Sequence, residues 1–583
     1  MGIGRLSYVI LGTIAGLSCW VMTDRLPDLW EGRLALVATV LVVGFFGPAL
    51  AMAAELRLRP TLLFAAVIAL PLGVLVFIDS LGFPTARAFL ETGHALFAAV
   101  LLGALPVPFL IGIGQQGRAG WNDYPALFMN SWNIVVRYAA ALMFVAVVWL
   151  VLVLSSELLQ LVGIDALKHL LREEAVIWML SGAVLGLGLA VVTDLPDLIS
   201  PYLLLRLLRL LLPVVLIVVA VFVAALPFRG LDRLFGHLSA TGILVGVAAA
   251  AVALISITVD QDDIEGAHDR LLPPAARLLA LFLPVLAGLA VWALVLRVGQ
   301  YGWTPVRVSA AASVFVTCGY ALLYTLAVLA GRGWMGLVRR ANLAMALVLI
   351  ALSALWLTPL ISPERIAVRS QMARFEAGQL PVGDLPLWEL AHDWGTAGAH
   401  AVAGLRQRAQ GAGQEDLAAR LVQLDTAEGS WEMRPAQAAA PDRDAIAAAR
   451  KAFLVAPRGA VLPDGLFDNV GARILQGWLQ ACEKPTPAAH AGCLVVLADM
   501  LPDAAGEEAV ILLNHRQLRA LSGAPVLLNG PAGWQQSAFT RALSGEEISA
   551  GDLIDSILRE GFSVLPSGIN ALDVGGHSFV ASP

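Results

Sequence analysis

Eleven stretches of this chain are each long and apolar enough to cross a lipid bilayer as a helix. A hydrocarbon core of ~30 Å takes about 20 residues in α-helix, and lipid offers no partner to a free backbone N–H or C=O. The stretches are Leu6–Met22, Leu34–Ala54, Thr61–Ile78, Phe89–Ile113, Ile134–Leu154, Ala175–Val192, Leu203–Leu226, Thr241–Val259, Leu278–Leu296, Val308–Ala330 and Ala341–Ile361. The first follows a single charge, Arg5, and no small-residue cleavage site precedes Thr23-Asp24-Arg25, so it reads as a retained span.

Charge is distributed accordingly. Residues 1–361 carry 21 Lys/Arg and 19 Asp/Glu, whereas residues 362–583 carry 17 and 25. The first part is a polytopic membrane domain and the second an acidic, water-compatible tail. The reading is therefore an α-helical polytopic membrane protein with a C-terminal soluble α+β domain: 1–361 in the membrane, 362–480 a helical soluble segment, 481–583 a small α+β module. Lys/Arg near the span ends number 12 on the amino-terminal side and 9 on the other. The positive-inside rule then places the amino terminus in the cytoplasm, and eleven crossings place the tail outside it. Between the fifth and sixth spans, Glu157–Leu171 is too short and too charged to cross and suits a helix lying at the interface.

Self-comparison reveals a repeat. Gly12, Gly16, Leu17, Val21, Thr23 and Asp24 recur at Gly182, Gly186, Leu187, Val191, Thr193 and Asp194, and both copies run on into Leu-Pro-Asp-Leu, at Leu26–Leu29 and Leu195–Leu198. A weaker echo relates Trp132, Arg137, Ala139–Ala141 and Phe144 to Trp303, Arg307, Ala310–Ala312 and Phe315. Two five-span units, 1–154 and 175–330, with 341–361 as an extra helix, would face opposite sides of the membrane because five is odd, which is the inverted-repeat plan of many transporters. The alternative is that Ala/Gly-rich helices resemble one another by chance and that the Pro and Asp merely stop one helix and cap the next.

The candidate transport residues are Asp24, Asp28, Asp194 and Asp197 of the repeated motif, Glu91 with His94, and the matched Arg137 and Arg307. Ionisable groups within spans are functional candidates. Glu91 and His94, three apart, would share a helix face as a proton-handling pair, or lie at the interface with their polar ends in water. The acidic loop Asp260, Asp262, Asp263, Glu265, His268, Asp269 reads either as a cation loop or as a solvated turn. Tyr301-Gly302-Trp303-Thr304-Pro305 is an N-capped helix start with interfacial aromatics.

In the tail, helical patterns at Leu387–Arg406, Leu417–Asp425, Asp444–Val455 and Leu466–Gln480 give way to strand-like Cys493–Leu497, Ala509–Leu513, Val526–Leu528, Trp534–Phe539 and His577–Val580 around a helix near Asp552–Arg559. Cys482 and Cys493 bracket a Pro-rich loop and would pair in an oxidising compartment or stay reduced in the cytoplasm. Asp499, Asp503, Glu507 and Glu508 lie between two strand candidates and are candidates for calcium, although Leu501 takes the place of an oxygen ligand.

The spans, the Tyr-Gly-x-Thr-x-x-Arg stretch (Tyr301, Gly302, Thr304, Arg307) and the post-membrane Ser362-Pro363-x-x-Ile366-x-x-x-Ser370-Gln371 together resemble the bacterial polytopic membrane proteins classed as domain of unknown function 4153. The Cys493…Asp499…Glu508 hairpin is similar to an acidic turn in the extracytoplasmic tail of some members, with Leu501 and Ala504 departing from it. The resemblance implies a bacterial inner-membrane location and supplies no catalytic residue, substrate or cofactor.

No P-loop, dinucleotide-binding glycine turn or basic nucleic-acid stripe is visible, so no cofactor and no nucleic-acid partner are expected. The expected partners are the lipid bilayer and a periplasmic or membrane protein. The leading expectation is a transporter or permease-like protein for an amphipathic or envelope-related molecule. The alternatives are a non-transporting anchor or sensor presenting the tail, and a lipid-linked glycosyltransferase, whose acidic loop would have to come from Thr23–Arg33.

Overall fold

In the computed structural model the chain divides into two compact units, Met1–Ala427 and Glu428–Pro583. The residues described are 4–25, 32–194, 201–229, 240–264, 266, 270–411, 413–427, 429, 433, 443–500, 506–514, 524–530, 533–544, 549–566, 570–574 and 577–582. The boundary falls inside the tail segment 362–480: its first helices, Pro363–Glu376, Gly395–Arg408 and Glu415–Thr426, belong to the first unit, and its last belong to the second.

Among the described residues, eleven helices of the first unit are long and apolar enough to cross a membrane: Arg5–Asp24, Gly32–Met52, Leu58–Ser80, His94–Trp121, Tyr124–Leu161, Glu174–Asp194, Pro201–Ala225, Ala240–Val259, Leu272–Tyr301, Pro305–Leu329 and Trp334–Trp356. They are called spans 1 to 11 below. Two differ in kind from the sequence reading. Span 4 does not begin at Phe89. A short helix, Ala86–Glu91, ends first, and Gly93 at φ +70° turns the chain before His94 starts the span. Span 5 is 38 residues long, about 57 Å at ~1.5 Å per residue. It absorbs the first part of the expected interfacial helix, of which only Ala166–Leu170 is a separate helix.

The repeated glycines meet one another. Gly12 of span 1 packs on Gly182 of span 6, Gly16 on Trp178 and Met179, and Gly186 on Tyr8. The pairs 8/186, 12/182 and 16/178 run in opposite directions, so the two helices are antiparallel. Exchanging the partners through the 170-residue offset turns the 8/186 contact into 178/16 and returns 12/182 to itself. Without side chains the backbones approach closely, and a methyl added at Gly12 would overlap the Gly182 carbonyl oxygen. The exchange relation stops there. Trp132 lies within span 5, whereas its echo Trp303 precedes span 10.

Packing also groups the spans differently from five, five and one. Leu189 and Ala190 of span 6 share an apolar cluster with Tyr8, Ala49, Ile111 and Ala141 of the first five spans. A second cluster, from Leu212 to Ala341, gathers spans 7 to 11. A third joins spans 3 and 4 to spans 10 and 11 through Val76, Ala98, Val308 and Trp356.

The helix Pro363–Glu376 begins as the sequence dictates, with the Ser362 side chain capping the Arg365 N–H and Pro363 in the first turn. It docks on the turn between spans 9 and 10. Gln371 donates to the Tyr301 and Trp303 carbonyls at 2.9 Å each, the Trp303 N–H donates to Ser370, and Arg374 donates to the Gly299 and Gln300 carbonyls. Gly302, at φ +71°, faces Gln371 and Arg374 so closely that a Cβ would displace them. The two post-span sequence patterns are thus two sides of one contact.

The second unit is built on an eight-stranded sheet of order β1-β2-β3-β4-β5-β8-β7-β6. The strands are β1 Leu454–Ala456, β2 Cys493–Ala498, β3 Glu508–Leu513, β4 Pro525–Gly530, β5 Gly533–Ser544, β6 Ser563–Pro566, β7 Asn570–Val574 and β8 His577–Ser582. Alternate residues of β2 and β3 feed opposite cores. Leu494, Val496, Val510 and Leu512 pack with Leu553, Ile554 and Ile557 of the helix Ala550–Glu560, while Val495, Leu497 and Ile511 pack with Phe453, Phe467 and Trp478. Burial on both faces is why these strands read as unbroken apolar runs. Cys482, ending one helix, and Cys493, opening β2, are joined by a disulfide across 11 residues.

The turn Thr486–His490 is fastened to the helix Ala550–Glu560 by Asp555, which is 7% exposed. Its carboxylate accepts from the Thr486 hydroxyl, from the Ala488 N–H at 2.8 Å and from His490 Nδ1 at 2.8 Å. Burial pushes the Asp555 pKa up, but the bonds from Thr486, His490 and Ala488 outweigh it and hold the carboxyl below its usual value.

Two predictions follow from these contacts. Gly12→Ala or Gly182→Ala will force spans 1 and 6 apart and cost about 1–3 kcal/mol, read as a lower melting temperature in detergent. Gly288→Ala, where an added methyl meets nothing within 4 Å, will not. A group with a depressed folded pKa stabilises above its unfolded value and loses that contribution as pH falls through the folded one. The second unit will therefore weaken on acidification below about pH 4. Asp555→Ala will remove that limb and cost about 1–3 kcal/mol at neutral pH for each buried donor it abandons, measured by pH-dependent denaturation of the full chain.

Candidate functional site

A cavity of the first unit lies among spans 1 to 5 and has a volume of about 680 Å³. Its longest wall is a stripe of span 2, including Gly32, Leu36, Val40, Gly44, Gly47 and Ala51. These fall at helical spacings on one face, and Gly32 to Ala51 rises about 28 Å, close to the thickness of a bilayer core. Leu72 of span 3, Ala99, Gly103 and Val107 of span 4, and Ile134 and Tyr138 of span 5 complete the wall, with Met22, Ala86 and Leu90 at one end. Small residues on spans 2 and 4 create the space: glycine and alanine leave unfilled what larger side chains would occupy. Polar atoms are few. Tyr138 donates its hydroxyl to the Gly47 carbonyl at 2.7 Å, and Thr23 and Thr39 are the other side-chain hydroxyls among the lining residues. Such a wall suits hydrocarbon and offers nothing to a hydrated ion.

Beside Gly32, Arg33 donates to the carbonyls of Phe83 and Pro84, while its Nε is buried with no hydrogen-bond partner.

The sequence candidates do not converge on this cavity. Asp194 ends span 6 in an exposed ion pair with Arg5, and Asp24 is half-buried in the last turn of span 1. Asp28 and Asp197 lie outside the described residues. Glu91 and His94 are not a pair: the break at Gly93 puts them on separate helices, and Glu91 forms an exposed i,i+4 pair with Arg87 at 3.0 Å. His94 instead meets Glu364 at 2.9 Å, both nearly buried, and accepts the Trp356 indole N–H on Nδ1 at 3.2 Å. With Nδ1 accepting, the ring proton is on Nε2 and is donated to Glu364. The bond ties span 4 to span 11 and to the helix that follows it.

Arg137 and Arg307 occupy unlike environments. Arg137 pairs with Glu55 at 2.8 Å, both about one-fifth exposed, and Gln115 donates to the same carboxylate at 3.1 Å. Arg307 donates to the Gly302 and Tyr301 carbonyls and sits over the Tyr301 ring. In its described part the acidic loop is buried at Asp260 and solvated at Asp263, whose side chain is 78% exposed. Asp260 is fully buried against Arg209, and Arg339 holds Asp263 at 2.7 Å while donating to the Asp260 and Val259 carbonyls. Glu265, His268 and Asp269 lie outside the described residues.

Sequence reasoning passed over a buried polar network nearby. Asn342 of span 11 donates to Tyr124 at 2.9 Å and to Ser256 at 3.1 Å, accepts from Tyr324, and Ser256 meets Tyr324 at 2.7 Å. These four residues come from spans 5, 8, 10 and 11, so no local spacing marks them.

In the second unit Asp499 and Glu507 are exposed, Glu508 is buried and accepts the Met500 N–H at 2.6 Å, and Asp503 lies outside the described residues. Among the described residues no three His, Cys, Asp or Glu side chains are grouped to hold a metal.

Arg137→Gln will leave the Glu55 carboxylate with Gln115 as its side-chain donor and destabilise the first unit by about 1–3 kcal/mol. Adding Glu55→Gln will recover part of that loss, measured as a double-mutant cycle of thermal stability in detergent. Comparison of the chain with protein families, curated proteins and solved structures gives no match.

Proposed function

We propose that this protein is a bacterial inner-membrane transporter or permease-like protein for an amphipathic, envelope-related molecule, and that the cavity among spans 1 to 5 takes its hydrocarbon part. The observation that carries this reading is the apolar stripe along span 2, which runs about as far as a bilayer core is thick and bounds about 680 Å³ of space. Pockets for small molecules have volumes of ~300–1,000 Å³ and mostly apolar walls. The self-complementary antiparallel packing of Gly12, Gly16, Gly182 and Gly186 supports inverted duplication, the plan on which many transporters alternate access. The bilayer is then both solvent and source of the cargo. The resemblance to the family of unknown function and the Cys482–Cys493 bond support an inner-membrane chain with its tail in an oxidising periplasm.

A second reading, an anchor presenting the tail to a periplasmic or membrane protein partner, is favoured by the separate two-faced core of residues 428–583.

Reconstituted in liposomes with a panel of fluorescent lipids and amphiphiles, the protein will accelerate the transbilayer movement of at least one. Gly47→Phe, placed where an added Cβ meets no neighbour within 4 Å, will fill the cavity and abolish the acceleration. Rates equal to empty liposomes across the panel, with no lipid co-purifying by native mass spectrometry, would count against transport and leave the anchor.

A further inference from the structure

A second cavity, of about 420 Å³, lies in the Glu428–Pro583 unit and is lined by Arg458, Arg559, His490, Asp555, Leu454 and Leu558, with Ala488. Three cationic or proton-carrying side chains reach it from three separate places: the turn after β1, the turn Thr486–His490 and the end of the helix Ala550–Glu560. We propose that this cavity is a binding site for a phosphate monoester, with Arg458 and Arg559 taking the phosphate, His490 Nε2 accepting the P–O–H of its monoanion, and Leu454 and Leu558 covering the apolar group the phosphate carries.

The side-chain chemistry supports this assignment at each position. Asp555 is spent inside the protein: its carboxylate accepts three bonds and is 7% exposed, so it turns toward its own turn more than toward a ligand. Its bond to Nδ1 fixes the imidazole so that Nδ1 carries a proton and Nε2 is turned away from the carboxylate. The His490 side chain is 46% exposed, so an oriented imidazole is held open to the cavity side of the turn.

A guanidinium has five N–H donors in a planar fork that matches phosphate oxygens. Arg458 uses one nitrogen on the Leu558 carbonyl, a bond that also ties it to the floor of the cavity, and Arg559 uses Nε on Glu560. Both keep donors beyond these bonds. The unit as a whole carries 11 Lys/Arg and 17 Asp/Glu, so two arginines and a histidine on one cavity run against its net charge. At physiological salt that wider acidity is screened beyond ~8 Å, whereas direct contacts are not. No Ser, Thr or Cys side chain lines the cavity among the described residues, so the proposal is one of binding, with no covalent step.

The site belongs to a different unit from the cavity among spans 1 to 5, and either reading can fail without the other. The shared chemistry, a phosphate monoester, could reach the site from solution or as a lipid headgroup. The test uses the full chain in nanodiscs of zwitterionic lipid, with phenyl phosphate as the probe in isothermal titration calorimetry. Saturable 1:1 binding is expected, with phenol not binding. Arg458→Gln and Arg559→Gln should each weaken the binding by about tenfold or more, the loss of one charge-assisted hydrogen-bonded contact. Nanodiscs containing phosphatidic acid will lower the apparent affinity for phenyl phosphate if the headgroup is the source, and leave it unchanged if the ligand is soluble.

A readout on the unaltered chain accompanies the variants. Phenyl phosphate should protect Arg458 and Arg559 from an arginine-selective glyoxal, followed by mass spectrometry. Absence of saturable binding, binding untouched by both substitutions, or equal modification of the two arginines with and without phenyl phosphate would each overturn the proposal.

Discussion

The antiparallel crossing of spans 1 and 6 is the contact on which the first unit is organised. Between apolar helices in lipid there is little hydrophobic gain, so association depends on how closely backbones approach. Glycine at four facing positions permits that approach, and each of the four faces backbone of the other helix. Span 6 is thereby drawn into the core of the first five, leaving spans 7 to 11 to build their own cluster. The cavity along span 2 is lined in part by Gly44, Gly47 and Gly103.

Three ionisable groups of this bundle are held by pairing across elements. Glu55 with Arg137, His94 with Glu364, and Asp260 with Arg209 each neutralise or share a proton within hydrogen-bond reach. Removing a charge from water is costly unless a partner stands close, and each partner comes from a different span or loop. The same logic governs the second unit on a smaller scale, where one carboxylate, Asp555, closes a turn by accepting three donors.

The eleven long apolar helices were legible in the sequence because length and hydropathy are local signals. So were the two buried central strands, whose apolar runs record burial on both faces. What was not legible depended on partners distant in sequence. Glu91 and His94 have helical spacing, but a left-handed Gly93 separates them, and nothing nearby in sequence points from His94 to Glu364, 270 residues away. Trp132 and Trp303 match in letters while one lies inside a helix and the other before one. The short strand β1 escaped notice because three residues at the end of a helical pattern are a strand only by virtue of pairing with β2. The Tyr138–Gly47 bond at the cavity wall leaves no trace in spacing at all.

The grip of Gln371, Ser370 and Arg374 on the hairpin between spans 9 and 10 has a mechanical corollary. Five carbonyl or amide contacts to one tight bend hold the bend and the helix Pro363–Glu376 together as one piece. Any tilt of spans 9 and 10 must carry Pro363–Glu376 with it and, through the His94–Glu364 bond, bear on span 4 as well.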